Sequence, residues 1–190
     1  MNERLPAHRR RRLAGFDYTS NGAYFITICA YQRAPLFVDK GIQKTIIDCW
    51  MNIPAHFPHI TLDSFVIMPN HVHGIVNINE TPAAAVRQFH EIAVQQRKRG
   101  TQPGSLSGVV QSFKAAVTRE LRMQGLVALD QRVWHSNYYD RVIRSEAELD
   151  RVRLYIANNP SQWAFDHENP AAEHDAPYVA AWGWLEGAAS

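Results

Sequence analysis

The sequence predicts an α+β domain, a four-stranded antiparallel sheet with helices on one face. Three observations predict it. Strand-like and helix-periodic segments alternate in the order strand, helix, strand, strand, helix, strand, helix. The two central strands are joined by the turn signal Met68-Pro69-Asn70. The β-α-β-β-α-β part of that order closes as an antiparallel sheet backed by two helices, which leaves its other face free for a ligand.

Each element has its own local reason. Ala23 to Tyr31 is rich in aromatic and β-branched residues and reads as the first strand. Ile42 to Asn52 places Ile42, Ile46, Cys49 and Trp50 near one helical face, and Pro54 closes it. A hairpin of Ile60 to Ile67 and His71 to Asn79 follows. A helix over Ala83 to Gln96 precedes the Gly100-to-Gly104 breaker, with the basic Arg97-Lys98-Arg99 between them. Leu106 to Met123 sets Val109, Val110, Phe113, Val117 and Leu121 at helical spacing, and Val133 to Ile143 reads as the last strand region. The final helix opens on Ser145-Glu146-Ala147-Glu148, the form of a capping box, and buries Leu149, Val152 and Ile156. Tyr155 and Asn159, four residues apart, share a neighbouring face, and Pro160 ends the helix at Asn159.

Composition bounds the class. A chain of 190 residues with 46% hydrophobic content suits one core. Two cysteines, Cys29 and Cys49, are too few for a disulfide framework, and no stretch is apolar enough to span a bilayer or to serve as a secretory signal, so the expected location is the cytoplasm. The net charge of +2 conceals an asymmetry. Residues 161–190 hold Asp166, Glu168, Glu173, Asp175 and Glu186 but no Lys or Arg, so the body is basic and the tail acidic. Arg9, Arg10, Arg11 and Arg12 concentrate the positive charge in a stretch suited to neutralising phosphates, or to a solvated arm.

His71-Val72-His73 carries the chemistry. Alternate side chains of a strand share a face, so both imidazoles point one way and converge on one cation, while Val72 enters the other layer. Among nine histidines in 190 residues, one pair at this spacing by chance is not rare. Beside Gly74, however, the pair resembles an open platform. A tyrosine near such a metal suggests covalent attack on a phosphodiester. On periodicity alone Tyr155 also fits as a core residue with its hydroxyl at the rim.

Met68-Pro69-Asn70-His71-Val72-His73 together with Tyr155-Ile156-Ala157-Asn158-Asn159-Pro160 resembles the paired signature of the REP-associated tyrosine transposases, a branch of the single-tyrosine HUH superfamily. Ser112-Phe113-Lys114, Val133-Trp134 through Tyr138-Tyr139-Asp140 to Ile143-Arg144, and the opening Gly22-Ala23-Tyr24-Phe25 are similar too. The resemblance spans roughly residues 14–165. It implies a ferredoxin-like HUH nuclease fold and single-stranded hairpin DNA from repeated palindromes as substrate. With the charge distribution it divides the chain into a basic arm over 1–22, a nuclease domain over 23–165 and an acidic tail over 166–190, the tail having no counterpart in the family.

By the same resemblance His71 and His73 bind a divalent cation, Mg²⁺ or Mn²⁺, Asn159 is the third ligand and Tyr155 the nucleophile. Asparagine stands at 159 where relatives in the superfamily can have the longer glutamine. Tyr138 and Tyr139 are competing nucleophiles, disfavoured because they form a strand-like pair rather than preceding the Asn-Asn-Pro helix end. Arg9, Arg10, Arg11, Arg12, Lys114 and Arg144 are the expected DNA contacts, no membrane partner is expected, and a homodimer is left open. Two other classes use the same residues differently. A catalytically silent nucleic-acid-binding module needs the sheet and the basic arm alone, and a metal-dependent hydrolase activating water is indifferent to Tyr155.

Overall fold

The computed structural model describes residues 17–80 and 104–186. Four strands form one sheet: β1 (Gly22–Cys29), β2 (Ile60–Ile67), β3 (His71–Ile78) and β4 (Tyr139–Ile143). Their order is β2-β3-β1-β4, with every pairing antiparallel. The expected α+β architecture is therefore present. The helix over 83–96, the Arg97 to Arg99 patch and Arg9 to Arg12 lie outside the described residues.

One face of the sheet carries α1 (Lys40–Met51), the short α2 (Ile53–His56) and α3 (Leu106–Met123). Asp39 caps α1 by accepting from the Ile42 amide at 3.0 Å, so the helix begins at Lys40, two residues before the predicted start. Ile42, Ile46 and Trp50 of α1 and Val109, Val110, Phe113, Val117 and Leu121 of α3 pack on Tyr24, Ile26 and Ile28 of β1 and Val72 and Val76 of β3. Trp50 stacks on Phe65 with centroids 4.3 Å apart. That stack passes directly over Gly74, where a Cβ would lie 2.6 Å from the indole. Gly74 thus serves the close approach of Trp50 on this face and is not part of an open platform beside the histidines.

The other face, expected to be free, is covered. Helix α4 (Glu146–Asn158) and helix α5 (Ala176–Glu186) place Val152, Tyr155, Ile156, Tyr178, Trp182 and Leu185 on Phe25, Ile75 and Ile143. Ser145 caps α4 by accepting from the Glu148 amide at 3.2 Å, and Glu148 reaches back to the Arg144 amide rather than to that of Ser145.

Three boundaries differ from the sequence expectation. β1 stops at Cys29 because the chain turns through a 3₁₀ segment in which Gln32 and Arg33 take φ of 54° and 52°. The 133–143 region pairs fully only from Tyr139, with one isolated bridge between Ala30 and Trp134; the carbonyls of His135 and Asn137 accept instead from Lys114 Nζ, at 2.8 and 2.9 Å. Asn159 stays helical (φ −54°, ψ −42°) and opens a 3₁₀ helix over Asn159–Phe165. Pro160 is tolerated there because the first turn of a helix does not need its missing N–H. Among the described residues no helix is long and apolar enough to cross a membrane.

Candidate active site

β1 and β3 run in a register that pairs Thr27 with His73 and Cys29 with His71. Both imidazoles therefore project from the face that carries α4 and α5, and both are buried. Each Nδ1 meets an oxygen: Thr27 Oγ1 is 2.8 Å from His73 Nδ1, and Asn70 Oδ1 is 2.8 Å from His71 Nδ1. The two Nε2 atoms then face each other at 2.8 Å. Two neutral rings with protons on Nδ1 would bring two lone pairs together there, an arrangement that a shared proton or a cation relieves.

A carboxylate joins the pair. Asp166 Oδ2 lies 3.6 Å from His71 Nε2 and 4.0 Å from His73 Nε2, too far for hydrogen bonds. His71, His73 and Asp166 are all buried and offer ligand atoms within 4.8 Å of one another. Burial, reinforced by the adjacent His73, pushes the His71 imidazole down to about 3. Burial alone would raise the Asp166 carboxyl, but the facing imidazoles reverse this and hold it at about 2. At neutral pH His71 is thus a neutral nitrogen donor and Asp166 an anionic oxygen donor, the protonation states a metal requires.

Tyr155, on α4, is buried with its hydroxyl 3.3 Å from His73 Nε2. Phe25 wedges the assembly: it stacks on His73 at 5.2 Å and meets Tyr155 edge-on at 5.9 Å. Trp182 of α5 covers the phenol from above, with ring centroids 5.4 Å apart. Asn159 follows one helical turn later and is buried, and neither of its amide atoms has a hydrogen-bond partner. Two converging imidazole nitrogens and a carboxylate fit a hard or borderline divalent cation, and of the two unpartnered Asn159 amide atoms only Oδ1 has the chemistry of a ligand.

The structure thus brings His71, His73 and Tyr155 together, with Asn159 one turn from the tyrosine. Asp166 is not legible as a ligand in the sequence, where it counts as one acid of the tail. No local signal sets it apart from the other acids there. Glu168 is likewise buried; His167 and Arg33 hold its carboxyl well below the usual range against the opposing effect of burial. Tyr139 borders this cluster, and burial pushes its phenol up to about 12, which disfavours it as a nucleophile. Lys114 is engaged with the two carbonyls described above, and burial lowers its ammonium to about 8. Arg144 is exposed.

No family model matches the chain. A Haemophilus influenzae protein of uncharacterised role is 37% identical over 169 residues, covering 84% of this chain and 92% of that protein. Among solved structures, a REP-associated tyrosine transposase bound to a REP hairpin superposes with a TM-score of 0.55 at 16% identity, covering 78% of this chain and 72% of that one. A Deinococcus radiodurans R1 protein provisionally assigned as a transposase aligns at a TM-score of 0.43 and 19% identity, over 76% of this chain and 95% of its own. The chain therefore belongs to one family with the Haemophilus influenzae protein and is built on the fold of the REP-associated tyrosine transposase.

Proposed function

We propose that this protein is a tyrosine transposase: a metal-dependent endonuclease and strand transferase that acts on single-stranded hairpin DNA from repeated palindromes through a 5′-phosphotyrosine intermediate. The observation that carries the reading is the placement of the Tyr155 hydroxyl 3.3 Å from His73 Nε2, beside the His71, His73 and Asp166 donors. The fold shared with a transposase solved on a REP hairpin supports the substrate class.

His71, His73 and Asp166, with Asn159 nearby, would hold Mg²⁺ or Mn²⁺. When bound, the cation withdraws charge from a nonbridging phosphate oxygen and aligns the scissile bond. A free tyrosine titrates near pH 10, so the phenol needs help in losing its proton; with the His73 Nε2 lone pair given to the cation, the phenol 3.3 Å from that nitrogen would release its proton to solvent, the adjacent positive charge favouring the phenolate. Tyr155 Oη then bonds to phosphorus as the P–O3′ bond breaks, and the departing O3′ takes a proton from solvent. Attack by a 3′ hydroxyl on the phosphotyrosine reverses the exchange. One phosphodiester replaces another, so no nucleotide cofactor is consumed.

The test is incubation of the protein with labelled hairpin DNA from palindromes flanking its own gene, with Mn²⁺, read on a denaturing gel. A metal-dependent covalent adduct is expected in the parent protein and absent from Tyr155→Phe, which still shifts the DNA on a native gel. Cleavage that survives Tyr155→Phe would assign the attack to water and overturn the reading.

A further inference from the structure

Asn70, buried in the turn between β2 and β3, uses both ends of its side-chain amide. Its Nδ2 faces two carbonyl oxygens, Glu168 O at 2.7 Å and Arg33 O at 3.3 Å. Carbonyls only accept, so this end must be the donor and the other end, facing His71 Nδ1 at 2.8 Å, must be the acceptor. His71 then carries its proton on Nδ1 and turns the lone pair of Nε2 toward His73 and Asp166.

The same amide holds the segment that delivers the carboxylate. The Glu168 amide donates to Asp166 Oδ1 at 2.7 Å, and the Glu168 side chain is ion-paired with Arg33. Residues 166–168 are thereby pinned to the start of β3, across 98 residues of sequence, by the same side chain that orients His71. We propose that Asn70 is the positioning residue that couples His71 to Asp166, setting the tautomer of one and the place of the other. Aspartate lacks the donor, alanine lacks both groups, and glutamine is one carbon too long to make the two contacts from this turn.

The inference rests on the metal reading above, and its test separates the two. In metal-free, ¹⁵N-labelled parent protein at neutral pH, ring nitrogen correlations should show His71 as the Nδ1–H tautomer. In Asn70→Ala, Mn²⁺ affinity, read from the paramagnetic resonance of free ion, should fall about 10- to 100-fold, as for other partners that orient metal-bound histidines. The Glu168 amide should exchange with solvent at least about tenfold faster, matching the loss of a contact worth roughly 1.4 kcal/mol. An Nε2–H tautomer in the parent overturns the inference whether or not the variant folds. So does a folded Asn70→Ala that binds Mn²⁺ within twofold of the parent, or that leaves Glu168 exchange unchanged. If the parent binds no Mn²⁺, the metal reading fails and this inference fails with it.

Discussion

His71 shows how a single side chain makes the fold sensitive to acid. In the unfolded chain its imidazole titrates near 6.5, whereas in the folded protein burial holds it neutral down to about pH 3. Between these values the unfolded state binds a proton that the folded state does not, so stability falls as pH drops through that window, by up to about 1.4 kcal/mol per pH unit. Asp166 acts in the same direction at lower pH. Its folded value of about 2 lies below the ordinary 3.8 of an aspartate, and the stability it adds above 3.8 is lost as the carboxylate protonates toward pH 2. Thermal melts of chelator-treated protein from pH 7 to pH 4 should therefore show a falling midpoint, and His71→Gln should flatten the slope by about one proton. An unchanged slope in the variant would mean that His71 is not buried in neutral form.

At the scale of elements, the covered second face is the feature with most consequence. A fully buried phenol cannot meet a phosphodiester, so the proposed attack by Tyr155 requires α5 to yield first. Its outer anchor is Trp184, held between the guanidiniums of Arg141 at 4.8 Å and Arg151 at 4.3 Å. Each such contact at a half-exposed site contributes about 0.5–1 kcal/mol. Trp184→Ala should loosen α5 by about 1–2 kcal/mol and speed adduct formation up to about tenfold in single-turnover assays with excess DNA. A rate equal to the parent's would show that the helix does not gate the nucleophile. On the opposite face, Gly74→Ala should cost about 1–3 kcal/mol in chemical denaturation, because the added methyl meets two stacked rings rather than a flexible chain. Much of this layer was legible in the sequence. Period-two alternation placed His71 and His73 on one face, and helical spacing found the apolar stripes of α3 and α4. The role of Gly74 was not legible, since nothing local to it reveals that Trp50 lies above. Nor was the packing of α5, because Tyr178, Trp182 and Leu185 acquire meaning only when Tyr155 and Phe25 are in place beneath them.

For the molecule as a whole, charge and compactness pull the C-terminal region in two directions. Read by composition, residues 161–190 are an acidic tail; folded, two of their acids are buried at the base of the sheet while Glu173 stays exposed. Composition could not separate these roles, because the distinction depends on Asn70 and Arg33, which lie far away in sequence. The arrangement also means that an ion gripped by β3 and by Asp166 would act as a removable cross-link, closing a loop of 93 residues from His73 to Asp166. Such closure penalises partial detachment of the C-terminal region in the way a disulfide does, and for the same entropic reason. Limited proteolysis should therefore cut first near residues 169–175 in chelator, and Mn²⁺ should slow that cut without slowing cleavage elsewhere. Equal protection with and without Mn²⁺ would show that the ion does not tie the two parts together. Metal supply would then govern not only the chemistry at Tyr155 but how long the segment beside it survives in a cell rich in proteases.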